Sequence, residues 1–313
     1  MSNNNWVSAV IIDDTIEDTI EANTNNVVNN DNNSVDSGNI VNNNINIIYD
    51  QKEVISKIKN RKSKSKTKIE LEEIKEIKEI KPSNSLKHYF DPNINIIEIG
   101  IDEAGRGPMF GRVYAGVVIL PKDNPNFKFE WMKDSKKFHS KKKIEQVAEY
   151  IKENCIAWAV EFEDETQIDN INILQATQSA MHKAIKNVLL KLSSKSNANT
   201  NLLIENILLL VDGNYFKTYS ALNKSKTKLE IVKHLLIEGG DNKFCSIAAA
   251  SILAKVERDK YIEELCLENP ELSINYGIDS NKGYGSKKHM DGIKKYGITK
   301  WHRKTFGICK DYT

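Results

Sequence analysis

The chain has 313 residues, a net charge of +2 and 40% hydrophobic residues, which leaves room for one domain of catalytic size plus extra sequence. With no signal peptide and no apolar run of membrane-spanning length, it reads as a soluble intracellular protein. Cys155, Cys245, Cys266 and Cys309 have no C-x-x-C spacing and read as reduced thiols, which excludes a disulfide scaffold.

Residues 1–50 are dominated by Asn and hold eight acids with no Lys or Arg, the pattern of a disordered tail that cannot bury a core. Short apolar pieces, Val7 to Ile12 and Ile45 to Ile48, could dock on a partner. Residues 51–90 form a Lys/Glu-rich linker whose apolar spacing mixes strand and helix periods. Within it, Arg61 to Lys68 reads either as a solvated charge run or as a nuclear-localisation or nucleic-acid-contacting patch. Every Lys and Arg lies beyond the acidic tail, so the remainder is net basic, as suits a polyanionic substrate.

The folded domain is expected over 91–313. A strand is predicted from Ile94 to Ile101, and it runs into Asp102, Glu103 and then Gly105-Arg106-Gly107. Two adjacent carboxylates at the end of an apolar strand repel each other and resist burial unless a cation neutralises them. They read as ligands of a hard divalent ion such as Mg²⁺ or Mn²⁺. An acidic turn is the plainer reading of this segment by itself. The glycines let backbone pass close to a ligand, with N–H groups beside Arg106 able to meet phosphate or sugar oxygens.

A strand from Arg112 to Leu120, a Lys-rich helix from Lys141 to Asn154 and a strand from Cys155 to Phe162 follow. Next comes a long amphipathic helix with Ile173, Ala176, Ala180, Ala184, Val188 and Leu189 on one face. A second apolar strand, Ile207 to Val211, again ends in an acid, Asp212. A third, Leu229 to Ile237, precedes Asp241, and a helix starts at Phe244. Ligands in open α/β sheets gather outside the carboxyl ends of strands, so Asp102, Glu103, Asp212 and Asp241 can converge on one site. Four carboxylates without clustered His or Cys suit oxygen-loving divalent ions and argue against zinc. Strands first in hairpins and later alternating with helices imply a mixed sheet.

Further strings accompany these segments: Asp134-Ser135-Lys136-Lys137, Asn172 to Thr177, Ala249 to Asp259, Lys282-Gly283-Tyr284-Gly285 and His302-Arg303-Lys304-Thr305-Phe306-Gly307. In their order, from about Asn93 to Lys310, the chain resembles ribonuclease HII, the type 2 ribonuclease H family, in its bacterial-like form. Each string is weak by itself, and the ordered conjunction is specific. The resemblance implies the ribonuclease H-like α/β fold: a mixed five-stranded sheet flanked by helices, with a helical C-terminal extension holding Tyr284 and His289.

It also implies a metal-dependent endonuclease that hydrolyses the RNA strand of RNA/DNA hybrids. Such an enzyme also cuts 5′ of single ribonucleotides embedded in duplex DNA, leaving 5′-phosphate and 3′-OH ends. Two divalent ions, Mn²⁺ or Mg²⁺, activate a water and stabilise the leaving 3′ oxygen. Asp102 is the expected shared ligand, with Glu103 and Asp212 holding one ion each and Asp241 assisting. Gly105-Arg106-Gly107 matches the turn that reads the 2′-OH, the group that tells a ribonucleotide from its deoxy counterpart. Tyr284 matches the tyrosine that stacks on the adjacent deoxyribose.

Lys136, Ser135, Lys255 and Arg303 are expected phosphate or structural contacts, with Lys136 and Arg303 assigned to substrate. His289 and His302 are expected to be structural or to contact phosphate. Asn281 stands where a His is common in the family, and Met109 to Arg112 is bulkier than usual, which bears on substrate preference. Arg106 argues against the sister type 3 enzymes, which usually carry Lys there. The implied partners are RNA/DNA hybrid and ribonucleotide-containing duplex DNA, with no membrane and a self-sufficient monomer. A non-catalytic hybrid-binding protein is the alternative from another class, and retention of all four acids argues against it. A nuclease or transferase of this fold acting on DNA is a third reading, disfavoured by the Gly-Arg-Gly turn with Tyr284.

Overall fold

The structure, a computed structural model, describes residues 86–195, 204–222 and 227–312. The tail and the linker up to residue 85 lie outside the described residues. In chain order the elements are β1 (Ile97–Ala104), β2 (Val113–Ile119), α1 (Lys141–Asn154), β3 (Ala157–Glu163), α2 (Glu165–Lys195) and β4 (Ile207–Asp212). Then come β5 (Ser220–Leu222), β6 (Leu229–Ile231), β7 (Lys233–Ile237) and α3 (Cys245–Glu268). The C-terminal extension follows, with a π-helical turn at Leu272–Tyr276, α4 (Ile278–Asn281) and α5 (Lys287–Tyr296).

The main sheet is five-stranded and mixed, in the order β3-β2-β1-β4-β7. β1, β2 and β3 pair antiparallel, whereas β1, β4 and β7 run parallel. β2 is buried along its whole length, because both faces of the sheet are covered. On one face the small and apolar stripe of α2, Ala180, Ala184, Ile185 and Val188, packs on Ile99, Ile101, Val117 and Leu209. On the other, α1 and α3 share a cluster with Val118 and Leu120.

Helix α3 lies close to the sheet because β1 and β2 present glycines to it. A Cβ on Gly100 would stand 2.2 Å from the Ser246 carbonyl group, and one on Gly116 would stand 2.2 Å from the Ala250 oxygen. α1 begins at the predicted residue, where the Ser140 hydroxyl accepts from the Lys143 N–H. α2 is broken at Asn172, whose φ of 67° and ψ of 162° are not helical. Its side chain accepts from Gln175 N at 3.1 Å and so caps the second half of the helix.

Two expectations are corrected. The run from Leu229 to Ile237 is not one strand. It divides at the wholly buried Val232, whose N–H turns to Tyr219 O at 3.0 Å, so β6 pairs with β5 in a separate ribbon and β7 joins the main sheet. Residues 86–90, expected in the linker, pack on the domain instead. Lys87 exchanges backbone hydrogen bonds with Lys243 and Cys245, and His88 stacks on Phe129 at 4.2 Å. The buried Glu98 carboxylate gathers Phe90 N, Asp91 N and Lys122 Nζ, which ties this segment to β1.

The C-terminal extension has its own apolar cluster, in which Phe110 meets Ile262, Leu272 and Ile293. Among the described residues no disulfide is present. Among the described residues no helix is long and apolar enough to cross a membrane. Gly116→Ala should force α3 off the sheet and destabilise the domain by about 2 kcal/mol or more. A lower urea midpoint at unchanged slope would register this, and an unaltered midpoint would refute the close packing.

Candidate active site

The carboxyl ends of three adjacent parallel strands line up at one edge of the sheet. Ile101 pairs with Val211 and Asp212 with Ile237, so Asp102 and Asp212 follow one another across the ladder. Asp241 lies in the short turn just after β7. Asp102 and Asp241 are each only 5% exposed. The sequence-predicted quartet of Asp102, Glu103, Asp212 and Asp241 thus falls in one neighbourhood.

Each carboxylate has a local donor, yet the charges are not cancelled. Glu103 N donates to Asp102 Oδ1 at 2.7 Å, and Gly240 N donates to Asp212 Oδ1 at 2.6 Å. The Ser251 hydroxyl also bonds the Asp102 carboxylate. Ser251 Oγ and Ser135 Oγ share a hydrogen bond at 3.0 Å. Asn242 Nδ2 bridges Asp241 Oδ1 at 3.0 Å and Asp134 Oδ2 at 3.2 Å.

Burial first, then the charges of Glu103 and Asp212, push the Asp102 carboxyl well above the usual carboxylate range, against the pull of Ser251 and the Glu103 N–H. Burial also raises Glu103, and Arg106, whose Nη1 lies 3.3 Å from Glu103 Oε1, pulls it back. Asp241 is raised by burial and by Asp134 and Asp212. Lys136 is a second positive charge amid this group. Burial alone would lower it, but Asp241, Asp134, Asp102 and Asp212 together hold it above an ordinary lysine.

Among the described residues no three acidic, His or Cys side chains already stand in chelating geometry. The donor set nevertheless fits hard divalent cations. It is all oxygen, and its members destabilise one another's ionised forms, which added positive charge would relieve.

Beside the quartet the chain enters the turn Gly105-Arg106-Gly107-Pro108. Behind it stands Arg303, which corrects the expectation of a substrate contact: its side chain is wholly buried. Nε donates to Gly111 O at 2.8 Å, Nη1 to Arg106 O at 3.0 Å and Pro108 O at 2.7 Å, and Nη2 to Gly105 O at 2.6 Å. Burial, then the like charge of Arg258, pull its pKa below the usual value, yet a guanidinium keeps its proton at physiological pH. The four carbonyls replace the water it has lost.

These bonds set the direction of the turn's donors. In a trans peptide the N–H of each residue points opposite to the preceding carbonyl, and no peptide is cis. With the Gly105 and Arg106 carbonyls aimed at Arg303, the N–H groups of Arg106 and Gly107 point outward. The third, Met109 N, donates to Gly283 O at 2.9 Å and binds the turn to the loop of Tyr284. A Cβ on Gly107 would stand 3.5 Å from Tyr284 Cε1, so the half-exposed ring lies against the turn.

Several residues in the quoted strings have roles that their sequence did not disclose. Ser135 is buried against Ser251, and Lys255 pairs with Asp259 at 2.8 Å. Arg258, 3% exposed, donates to Lys282 O at 2.9 Å and crowds Gly105, where a Cβ would meet its Nε at 2.3 Å. Asn281 accepts from Gly283 N at 2.8 Å and shapes the Tyr284 loop. Asp134 and Ser251 were missed as members of the site. The available signal was a polar residue interrupting an apolar helical face, and an acid opening a short basic turn.

The profile of the ribonuclease HII family matches residues 99–309. Ribonuclease HII of Parabacteroides distasonis is 42% identical over 215 residues, which cover 69% of this chain and 92% of that protein. Ribonuclease HII of Endomicrobium trichonymphae is 43% identical over 212 residues, covering 68% and 86%. A crystal structure of a mutant Bst-RNase HIII shares the fold, with a TM-score of 0.50 at 17% identity over 70% of this chain and 69% of that one.

Because folding forces Asp102 against other carboxylates, Asp102→Asn should raise the thermal midpoint at neutral pH in chelator. The rise is about 2–4 °C for each kcal/mol of repulsion removed from a domain of this size. A lowered midpoint would show that Asp102 is held by favourable partners instead.

Proposed function

The chain belongs to the ribonuclease HII family, and we propose that it hydrolyses the RNA strand of RNA/DNA hybrids and cuts 5′ of a single ribonucleotide embedded in duplex DNA, in both cases with divalent metal. The observation that carries this reading is the juxtaposition of the carboxylate quartet with a turn whose outward N–H groups lie against an exposed tyrosine.

Asp102, Glu103, Asp212 and Asp241 would hold Mg²⁺ or Mn²⁺. The chemistry such ions supply when bound is activation of a water and stabilisation of the leaving 3′ oxygen. The N–H groups of Arg106 and Gly107 donate to the 2′ oxygen of the ribonucleotide. A deoxyribose leaves them unpaired, the loss by which a site built on hydrogen bonds rejects an analogue. The Tyr284 ring stacks on the neighbouring deoxyribose and senses the RNA–DNA junction. Arg106, whose side chain is 48% exposed, reaches from Glu103 toward a backbone phosphate, and Lys136 supplies positive charge beside the phosphate to be cut. The ends produced are 5′-phosphate and 3′-OH.

Asp102→Asn and Asp212→Asn should each lower the turnover of RNA/DNA hybrid by about a thousandfold, the scale on which loss of one preorganised charged group acts. Hybrid affinity in a filter or anisotropy assay should stay within about threefold of the unmodified chain, because the turn and Tyr284 are intact. Full turnover in either variant would overturn the assignment of these carboxylates. Binding without any cleavage by the unmodified chain would favour a hybrid-binding protein.

A further inference from the structure

Two buried histidines stand behind the Tyr284 loop, and their hydrogen bonds allow one assignment of protons. Thr299 N donates to His302 Nδ1 at 2.9 Å, so that nitrogen is an acceptor and the proton of the neutral ring sits on Nε2. His302 Nε2 faces His289 Nε2 at 3.1 Å. On the far side of that ring His289 Nδ1 lies 2.9 Å from Tyr284 O, a carbonyl that can only accept. His289 therefore carries its proton on Nδ1 and receives the His302 N–H on Nε2. The direction is continuous from Thr299 through both rings to the Tyr284 carbonyl.

The arrangement is closed to solvent, with His289 at 0% and His302 at 1% exposure. Burial lowers the pKa of His289 and, with the neighbouring ring, draws that of His302 down to about 3, so both rings stay neutral. Phe110 packs edge-on against His302 at 5.0 Å, and the same residue abuts Gly283, where a Cβ would lie 2.8 Å from the Phe110 Cβ. The next residue in the chain is Arg303, which holds the carbonyls of the Gly105–Gly107 turn. Consecutive residues thus brace the two halves of the substrate-facing surface: His302 the tyrosine loop, Arg303 the glycine turn.

We propose that His289 and His302 are positioning residues, a two-imidazole relay that fixes the Tyr284 backbone and so holds the tyrosine ring in register with the Gly105–Gly107 turn. The relay sets how strictly cleavage depends on a deoxyribose next to the ribonucleotide. This inference rests on the reading of Tyr284 as the junction-sensing side chain.

The test compares kcat/KM for duplex DNA carrying one ribonucleotide with kcat/KM for a continuous RNA/DNA hybrid, the ratio being the readout. His302→Phe fills the space but offers no donor, and it should lower the ratio by about tenfold to a hundredfold, the scale of a small misplacement at a reacting centre. His302→Gln returns an N–H near the Nε2 position and should bring the ratio back to within about threefold of the unmodified enzyme on the same scale. If His302→Phe does not fold, His289→Asn, whose amide nitrogen stands near Nδ1, should preserve the ratio, whereas His289→Gln should lower it. Equal loss on both substrates, or no difference between the members of a pair, would overturn the relay. Tyr284→Ala separates the two ideas. If it shifts the ratio while the histidine variants do not, the relay alone falls; if it leaves the ratio unchanged, the reading of Tyr284 falls and the relay with it.

Discussion

Helix α3 rests directly on the backbone of β1 and β2, at a distance that only Gly100 and Gly116 permit. Nearly every part of the site is indexed to that contact. The turn bearing Asp241 leads into the start of the helix, Ser251 neighbours Asp102 from its second turn, and Arg258 reaches Gly105 and the Lys282 carbonyl further along. A helix held one side chain further out would still cover the sheet, but it would not bring these groups to the ends of β1 and β4. Close packing is thus what turns four acids from three distant parts of the chain into one electrostatic unit.

The two kinds of buried charge near this helix are treated in opposite ways. Arg303 and Arg258 are surrounded by backbone carbonyls and so compensated within the chain. The carboxylates are left to repel one another, with Arg106, Lys136 and a few N–H and hydroxyl donors as partial relief. The compensated charges hold the Gly105–Gly107 turn and the Tyr284 loop. The uncompensated ones form a group whose mutual repulsion a hard cation would relieve.

Much of this could be read from the amino acids. Apolar runs ending in Asp102 and Asp212 are strands that terminate in acids, since an apolar run with turn signals has few alternatives and the carboxyl edge of a sheet is where such acids meet. The helix stripe through Ala176, Ala180, Ala184 and Val188 was legible for the same reason of period. The break at Val232 was not, because Leu229 to Ile237 holds no Gly or Pro, and apolar residues interrupted by Glu230, Lys233 and His234 fit either one strand or two. Arg303 was misread because a basic residue in a string that resembles a hybrid-cutting family suggests phosphate. Its partners come from residues 105 to 111, nearly two hundred positions earlier, and local pattern carries no record of them. The histidine relay is likewise a tertiary fact: neither the separation of His289 from His302 nor their neighbours announces that the rings meet.

The proposed function requires that the quartet does metal-dependent chemistry at a place chosen by the Gly105–Gly107 turn. It is tested most directly by mapping the products of an end-labelled duplex with one ribonucleotide, incubated with Mg²⁺, Mn²⁺ or chelator beside an all-DNA duplex. A single cut on the 5′ side of the ribonucleotide is expected, with 3′-OH and 5′-phosphate ends, only when a divalent ion is present and never in the all-DNA control. Cleavage in chelator, or equal cleavage of the all-DNA duplex, would contradict it.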